Sequence, residues 1–244
     1  MSLVILAIST NGSVWGETNL AWRNANEYSP IVDSIPIPLA TQKMKGTLID
    51  YAHDIFRQPP SREVDAAWDA LTAHGFTYVS ESAAQKMGWD LSVTAQLPSH
   101  LLPETAQGPH YSGETDMIHK LHCLDMIRKD VYFDYYWLEM YPNRNVSERH
   151  RIHSSHCLYI ILQALMCDAN TDLIPHVYLE DYAWPVPDFE IKRKCGNFEG
   201  VKEWQQAHDI PLNESTTKAL EKKPGQKSRP ITDEFRRLFE VDEP

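Results

Sequence analysis

Two short copies of one histidine and cysteine pattern carry the clearest chemical signal in this sequence. The first copy is His119-Lys-Leu-His122-Cys123-Leu124, and the second is His153-Ser-Ser-His156-Cys157-Leu158. Both follow the pattern H-x-x-H-C-L. Imidazole nitrogens and thiolates are common protein ligands of transition metals. The sequence therefore predicts that the two pieces bind a metal ion together.

Helical geometry gives the spacing its meaning. In a helix, histidines at i and i+3 share one face with Cβ atoms roughly 5–6 Å apart, and the cysteine at i+4 falls beside the first histidine. One such helix cannot fill the coordination sphere of an ion, whereas two facing helices can, as in bundle metal sites. We therefore expect four nitrogen donors, namely His119, His122, His153 and His156.

The motif cysteines and the metal each leave two interpretations open. Cys123 and Cys157 could be metal ligands, or they could form a bridge that pins the two helices. An imidazole-rich site favours copper by affinity, whereas zinc with histidine and cysteine forms a closed structural site or a hydrolytic one. Neither copy of H-x-x-H-C contains Asp or Glu. This argues against a facial-triad iron site, which needs a carboxylate ligand.

The surrounding sequence predicts a mainly α fold with minor β structure. The apolar spacing predicts two adjacent motif helices, at about 116–130 and 148–168, that form the His-rich metal site. Trp89 to Leu97 partly alternates and predicts a strand, and the Pro- and Gly-containing residues 98–114 predict a loop. The expected organisation is an extended N-terminal arm at 1–47, a catalytic domain at 48–210 that includes a Pro-rich strap, and a polar C-terminal tail at 211–244.

Composition restricts the partners and the compartment. The net charge of −11 argues against nucleic acid as a partner. No apolar run reaches 18 residues, and the opening apolar stretch 3–8 is too short for a complete signal peptide. Sequons at Asn11, Asn145 and Asn213 favour a glycoprotein of the secretory lumen, where disulfides form. The two cysteines outside the motifs, Cys167 and Cys195, bracket the Pro-rich strap and are the expected disulfide pair.

The doubled H-x-x-H-C motif resembles the UstYa-like oxidases of fungal secondary metabolism. The resemblance extends from about residue 28 to 205 and includes several further stretches: Tyr28-Ser-Pro30, Glu63-Val-Asp-Ala-Ala-Trp68, Leu121-His-Cys-Leu-Asp-Met-Ile-Arg128, Leu165-Met-Cys167, Trp184-Pro-Val-Pro-Asp-Phe189 and Cys195-Gly-Asn-Phe198. Members of that family usually carry an N-terminal membrane anchor. We expect no such anchor in this chain, which is then a trimmed or soluble form of a membrane-associated or lumenal protein.

The resemblance implies a copper-dependent oxidoreductase that uses O2 to tailor a mycotoxin-like peptide or other metabolite by cyclisation, hydroxylation, desaturation or halogenation. It implies copper ligation by the four motif histidines, and it allows a homodimer or a heterodimer with a family homologue. Acid–base or supporting roles could fall to Tyr111, Glu114 or His150. Two alternatives remain: a zinc protein with a structural or hydrolytic role, and a non-catalytic partner of a biosynthetic assembly.

Overall fold

The structure is a computed structural model that describes residues 15–50, 52–73 and 75–239. Its secondary structure is mainly α with short strands, which confirms the predicted class. Over the described residues, the helices are α1 Leu20–Ala25, α2 Pro30–Ser34, α3 Arg62–Thr72, α4 Glu81–Lys86, α5 Asp116–Val131, α6 Phe133–Tyr136, α7 Glu148–Asp168, α8 Phe198–Ala207, α9 Glu214–Ala219 and α10 Asp233–Phe239. The strands are β1 Ala40–Lys43, β2 Phe76–Ser80, β3 His110–Gly113, β4 His176–Val177, β5 Val186–Pro187, β6 Lys192–Cys195 and β7 Asp209–Ile210.

The chain forms two compact units that interleave along the sequence. Among the described residues, the first unit consists of 15–44, 76–113 and 192–221, and the second consists of 45–50, 52–73 with Gly75, 114–191 and 222–239. The predicted arm, catalytic domain and tail follow one another along the chain. Each unit of the structure instead combines segments that are far apart in the sequence. Both motif copies belong to the second unit. Each unit is described by itself below.

The first unit is built around a small antiparallel sheet in the order β3-β2-β7, with β1 paired to β6 in a second antiparallel ladder. Val79 of β2 pairs with Tyr111 of β3, and both side chains are buried with Ala83 and Ala84 of α4. The hydroxyl of Ser80 caps α4 by accepting from the Ala83 amide. This cluster is a local apolar core that joins one face of the sheet to a short helix.

The second unit is built around the helix pair α5 and α7, with α3 packed against α5. The Ser61 hydroxyl caps α3 by accepting from the Val64 amide. Between α3 and α5, the Arg128 guanidinium lies 5.0 Å from the Trp68 ring and donates to Asp65. Arg128 also donates to Asp125 at 2.7 Å. Charged and aromatic contacts therefore hold the first motif helix from the side of α3.

Several sequence predictions are wrong in detail. The arm predicted to be extended contains α1 and α2, which the buried side chain of Asn19 joins through hydrogen bonds to the backbone of Val32, Ile35 and Ile37. The predicted strand over Trp89 to Leu97 consists mainly of turns, and the predicted loop 98–114 contains β3. The predicted tail contains α9, where Asn213 forms a capping box with Thr216. Of these elements, α1, α2 and β3 depend on partners distant in sequence, which a local pattern does not contain.

The Pro-rich strap, residues 178–189, was predicted to be extended, and this is wrong in detail: Glu180 and Asp181 form a turn, and β5 within the strap pairs back antiparallel with β4 just before it. None of the helices in the described part of the chain has the length and hydropathy of a membrane span.

Candidate metal centre

The two motif copies lie on α5 and α7, which pack side by side in the second unit. Asp116 in the first turn of α5 and Glu148 in the first turn of α7 place negative charge at the positive end of each helix dipole. The Ser147 hydroxyl accepts from the His150 amide at 3.1 Å and so caps α7. Each helix therefore begins a few residues before its first motif histidine.

The motif histidines face one another in two pairs. The rings of His119 and His156 have centroids 5.6 Å apart, and those of His122 and His153 are 5.7 Å apart. The order of the pairs is reversed between the two helices, so α5 and α7 run antiparallel. The matched spacing of the two copies therefore places both pairs across the same helix–helix seam.

One donor group in the described residues has the dimensions of a metal site. A ligand atom from each of His119, Cys123 and His156 lies within 4.8 Å of the other two. The Cys123 sulfur is 3.9 Å from Nε2 of His119. Donor–metal distances of about 2.0–2.3 Å place tetrahedrally arranged donors roughly 3.3–3.6 Å apart. The three ligand atoms would therefore have to approach one another by up to roughly 1 Å to bind one ion.

The donor group is closed on one side and open on the other. The Cys123 side chain is fully buried, His119 is half-buried and His156 is exposed. Structural zinc sites close the ion in with four protein ligands, whereas catalytic sites offer three ligands and leave a position free. Three donors with one of them at the surface match the second arrangement.

Two motif residues of α7, His153 and Cys157, have pKa values shifted by their surroundings. Burial, and then the hydrogen bond and charge of Cys123, raise the pKa of the Cys157 thiol to about 12. Burial, followed by the nearby imidazoles of His156 and His150, lowers the pKa of His153, and the carboxylate of Asp130 opposes that shift. The His153 imidazole is therefore held neutral near pH 7, which is the form that binds a metal.

All four cysteines lie in the described residues, and each is a free thiol in the structure. The predicted disulfide between Cys167 and Cys195 is not formed, and it stays a prediction. Cys123 and Cys157 are buried next to each other, so the bridge interpretation and the ligand interpretation both retain a geometric basis.

The three residues predicted to support the site do not all belong to the same unit. Tyr111 lies in β3, in the buried core of the first unit. Glu114 lies two residues before the helix α5 of the second unit. His150 is in the first turn of α7, one turn before His153, and its side chain is only 10% exposed. His150 is therefore packed within the helix pair and is not a solvated side chain.

Sequence reasoning missed Asp130, which lies on the last turn of α5. Its Oδ1 accepts a hydrogen bond from His150 Nε2 at 2.9 Å, and its Oδ2 accepts one from the Ser154 hydroxyl at 2.6 Å. A groove of about 550 Å³ borders these three residues and is also lined by Arg144 and Arg151. The signal in the sequence was a carboxylate at the negative end of a helix, where the helix dipole disfavours it.

Fold and site together define a mainly α protein with a His/Cys donor cluster on two antiparallel helices. The family model described as "Mycotoxin biosynthesis protein UstYa" matches residues 1–208. The chain therefore belongs to the UstYa family, which confirms the resemblance seen in the sequence.

Several proteins with sequences similar to this chain come from fungi. UstYa family oxidase aprY of Aspergillus flavus is 27% identical, over 85% of this chain and 63% of that protein. UstYa family oxidase phomYc of Diaporthe leptostromiformis is 26% identical, over 64% of this chain and 59% of that protein. Oxidase ustYa of Aspergillus flavus is 24% identical, over 66% and 65%. The chain thus spans less than two thirds of the length of each, and no solved structure matches it.

Proposed function

We propose that this chain carries the metal centre of a copper-dependent oxidase that uses O2 to oxidise a C–H or O–H bond of a secondary metabolite. The observation that carries the proposal is the open donor group of His119, Cys123 and His156 on α5 and α7. The names of the relatives add that similar proteins are oxidases. The substrate class is a small peptide or other metabolite, in keeping with the family description.

The chemistry of the donors favours copper over zinc. Zinc has no accessible redox change, so a zinc ion could not itself pass electrons to O2. Two imidazoles with one thiolate form the ligand set of blue-copper sites, and divalent copper has the highest affinity of the first-row ions for nitrogen and sulfur ligands. When bound, copper would supply one-electron redox chemistry with O2.

The residues of the chain have separate roles in this proposal. Cys123 binds as a thiolate inside the helix seam, where it is shielded from solvent. His119 and His156 bind from opposite helices, and the exposed position of His156 leaves a side of the site accessible to a metabolite and to O2. His122 and His153 face each other beside this group. They complete the four-histidine set that the sequence predicts, as a second pair of nitrogen donors.

Metal analysis tests the proposal directly. The purified protein is reconstituted with copper, and its metal content is measured together with its EPR spectrum. We expect near-stoichiometric copper with nitrogen hyperfine structure, and loss of both in His119→Ala and His156→Ala. The matched control is His176→Ala, because His176 is an exposed histidine of β4. Tight zinc binding with no copper uptake would overturn the copper proposal and favour a structural or hydrolytic role.

We propose a secretory-lumen location on the basis of the sequons. Asn145 is exposed in the turn before α7, and Asn213 is exposed at the start of α9, while Asn11 lies outside the described residues. Expression in a eukaryotic secretory host should give a protein whose mass falls on treatment with an endoglycosidase. Asn145→Gln should reduce that mass difference. An unglycosylated product from the secretory host would contradict this location.

A further inference from the structure

The last turn of α5 contains a carboxylate that has no part in the proposed ligand set. Asp130 is the penultimate residue of this helix. A negative charge near the C-terminal end of a helix is unfavourable, because the dipole already concentrates negative charge there. Contribution to helix stability therefore does not explain Asp130, and its contacts with α7 are the better guide to its role.

Asp130 contacts α7 through both carboxylate oxygens. Oδ1 accepts from His150 Nε2 at 2.9 Å, and Oδ2 accepts from the Ser154 hydroxyl at 2.6 Å. His150 and Ser154 are four residues apart, so they lie one above the other on a single face of α7. A carboxylate that accepts from two such donors fixes both the rotation of the helix and its shift along the helix axis.

Two aromatic rings pack against the His150 side chain. The ring of Trp137 meets it edge to face with centroids 4.8 Å apart, and the ring of Tyr141 does so at 5.5 Å. Burial strengthens the hydrogen bond to Asp130, since water does not compete for the imidazole. The pair is thus a rigid connection between the end of α5 and the first turn of α7.

A motif histidine lies inside the segment that Asp130 holds. His153 is one turn after His150 and directly precedes Ser154, and its ring faces that of His122 on α5. A rotation of α7 by one residue would carry His153 about 100° away from this position. We propose that Asp130 is a positioning residue that sets the rotation and register of α7 against α5, so that the second motif faces the first. Its consequence for copper binding rests on the function proposed above.

The first arm of the test uses the protein without metal. Amide hydrogen exchange is measured by mass spectrometry over residues 148–156 in the wild type and in Asp130→Ala, Ser154→Ala and Ser155→Ala. We expect faster exchange in the first two variants, by about tenfold in Asp130→Ala, since local opening no longer breaks two hydrogen bonds. Ser155 is the matched control, because it is the neighbouring serine and is exposed. Unchanged exchange in Asp130→Ala would overturn the proposal.

The second arm measures copper affinity and the EPR spectrum of the same variants. Loss of groups that orient ligands lowers metal affinity by about 10–100-fold. We expect a loss of about tenfold in Asp130→Ala, a smaller loss in Ser154→Ala and no change in Ser155→Ala. Asp130→Asn should stay close to wild type, because its amide can accept from His150 and donate to Ser154. If Asp130→Asn loses as much as Asp130→Ala, charge and not positioning is responsible, and the proposal fails.

The two arms separate this proposal from the proposed function. A wild type that takes up no copper contradicts the proposed oxidase, while the exchange arm still decides whether Asp130 holds α7. Faster exchange with unchanged copper affinity would refute the positioning of the metal ligands. If Asp130→Ala does not fold, Ser154→Ala removes one of the two hydrogen bonds and gives the same decision.

Discussion

At the scale of single residues, the candidate donor group in the described structure combines both residue types that the sequence indicates as ligands. The sequence indicates four histidines with two cysteines of open role, whereas the structure groups two histidines with one cysteine. Helical spacing places the residues on one face, but the distances between side chains depend on how closely the two helices approach and on their rotation. These quantities follow from packing along the whole of α5 and α7, which no local pattern encodes.

The two motif cysteines offer a direct comparison between a ligand and a buried neighbour. Both are fully buried, and only Cys123 belongs to the three-donor group. In the copper-loaded protein, Cys123→Ser should abolish the intense visible absorption of a copper–thiolate site and weaken copper binding by at least about 100-fold. Cys157→Ser should keep the absorption band. Equal effects of both substitutions, together with the loss of two of the four free thiols in the wild type, would show that Cys123 and Cys157 form a bridge.

Tyr136 gives a pH-dependent contribution to stability away from the metal ligands. Burial of its hydroxyl, and then the hydrogen bond that it donates to Asp65, raise its pKa to about 12, above the ordinary value of 10. The folded state holds this proton more tightly than the unfolded state. The stabilisation is therefore complete below pH 10 and is lost as the pH rises through 12.

Tyr136→Phe tests this contribution by chemical unfolding between pH 8 and 11.5. The variant should lose about 2 kcal/mol of unfolding free energy near pH 8, since the hydroxyl bonds the charged groups of Asp65 and Arg128. Its stability should then fall less steeply than that of the wild type above pH 10. Tyr178→Phe is the control, because Tyr178 is 78% exposed. Parallel profiles for wild type and Tyr136→Phe would contradict the assignment.

At the scale of elements, the helices were more predictable than the strands. The sequence predicts the motif helices at about 116–130 and 148–168, and the structure has α5 at Asp116–Val131 and α7 at Glu148–Asp168. Their caps and apolar periodicity are local, so a short window of sequence contains the information. The strand β2 instead pairs with His110–Gly113 on one edge and Asp209–Ile210 on the other. Such pairing depends on residues far apart in the chain, which explains why β3 was predicted as a loop.

The starts of the two motif helices differ in a way that mutagenesis can measure. The Ser147 hydroxyl accepts from the His150 amide, so Ser147→Ala should lower the unfolding free energy by about 1 kcal/mol. Thr115, at the matching position before α5, makes no capping hydrogen bond, and within the described residues its buried hydroxyl has no partner. Thr115→Ala should therefore change stability little. Thermal unfolding of both variants from a host that does not glycosylate proteins makes the comparison, and a larger loss in Thr115→Ala would refute it.

At the scale of the whole molecule, one apolar helix face in the second unit has no cover within the described chain. Residues 152–167 of α7 contain no Asp, Glu, Lys or Arg. Five large side chains on one face of this stretch are each at least half exposed: Leu158, Tyr159, Leu162, Leu165 and Met166. In the antiparallel register of the pair, the last turns of α7 extend past the N-terminal end of α5. Residues of α5 therefore do not cover those turns. Exposed apolar surface of this extent marks an interaction site.

A second copy of this chain is the occupant that the surface fits best. The face is free of charge, so a two-fold contact brings no like charges together despite the net charge of −11. It offers roughly 400 Å² of apolar surface, about half of what each partner contributes to a stable contact. The residues that follow α7 expose further large apolar side chains, among them Leu173, Tyr178 and Trp184. We therefore expect a homodimer formed through α7.

Sedimentation velocity at 1–50 µM measures this association. The wild type should sediment as a dimer, and Leu162→Glu with Leu165→Glu should give a folded monomer, because two buried carboxylates cannot be solvated at the contact. The control is Leu48→Glu with Ile49→Glu, which places the same charges on two exposed apolar residues away from α7 and should leave the dimer intact. If the wild type is instead monomeric and binds phosphatidylcholine vesicles through the same leucines, lipid covers this helix face. That result would exclude the homodimer.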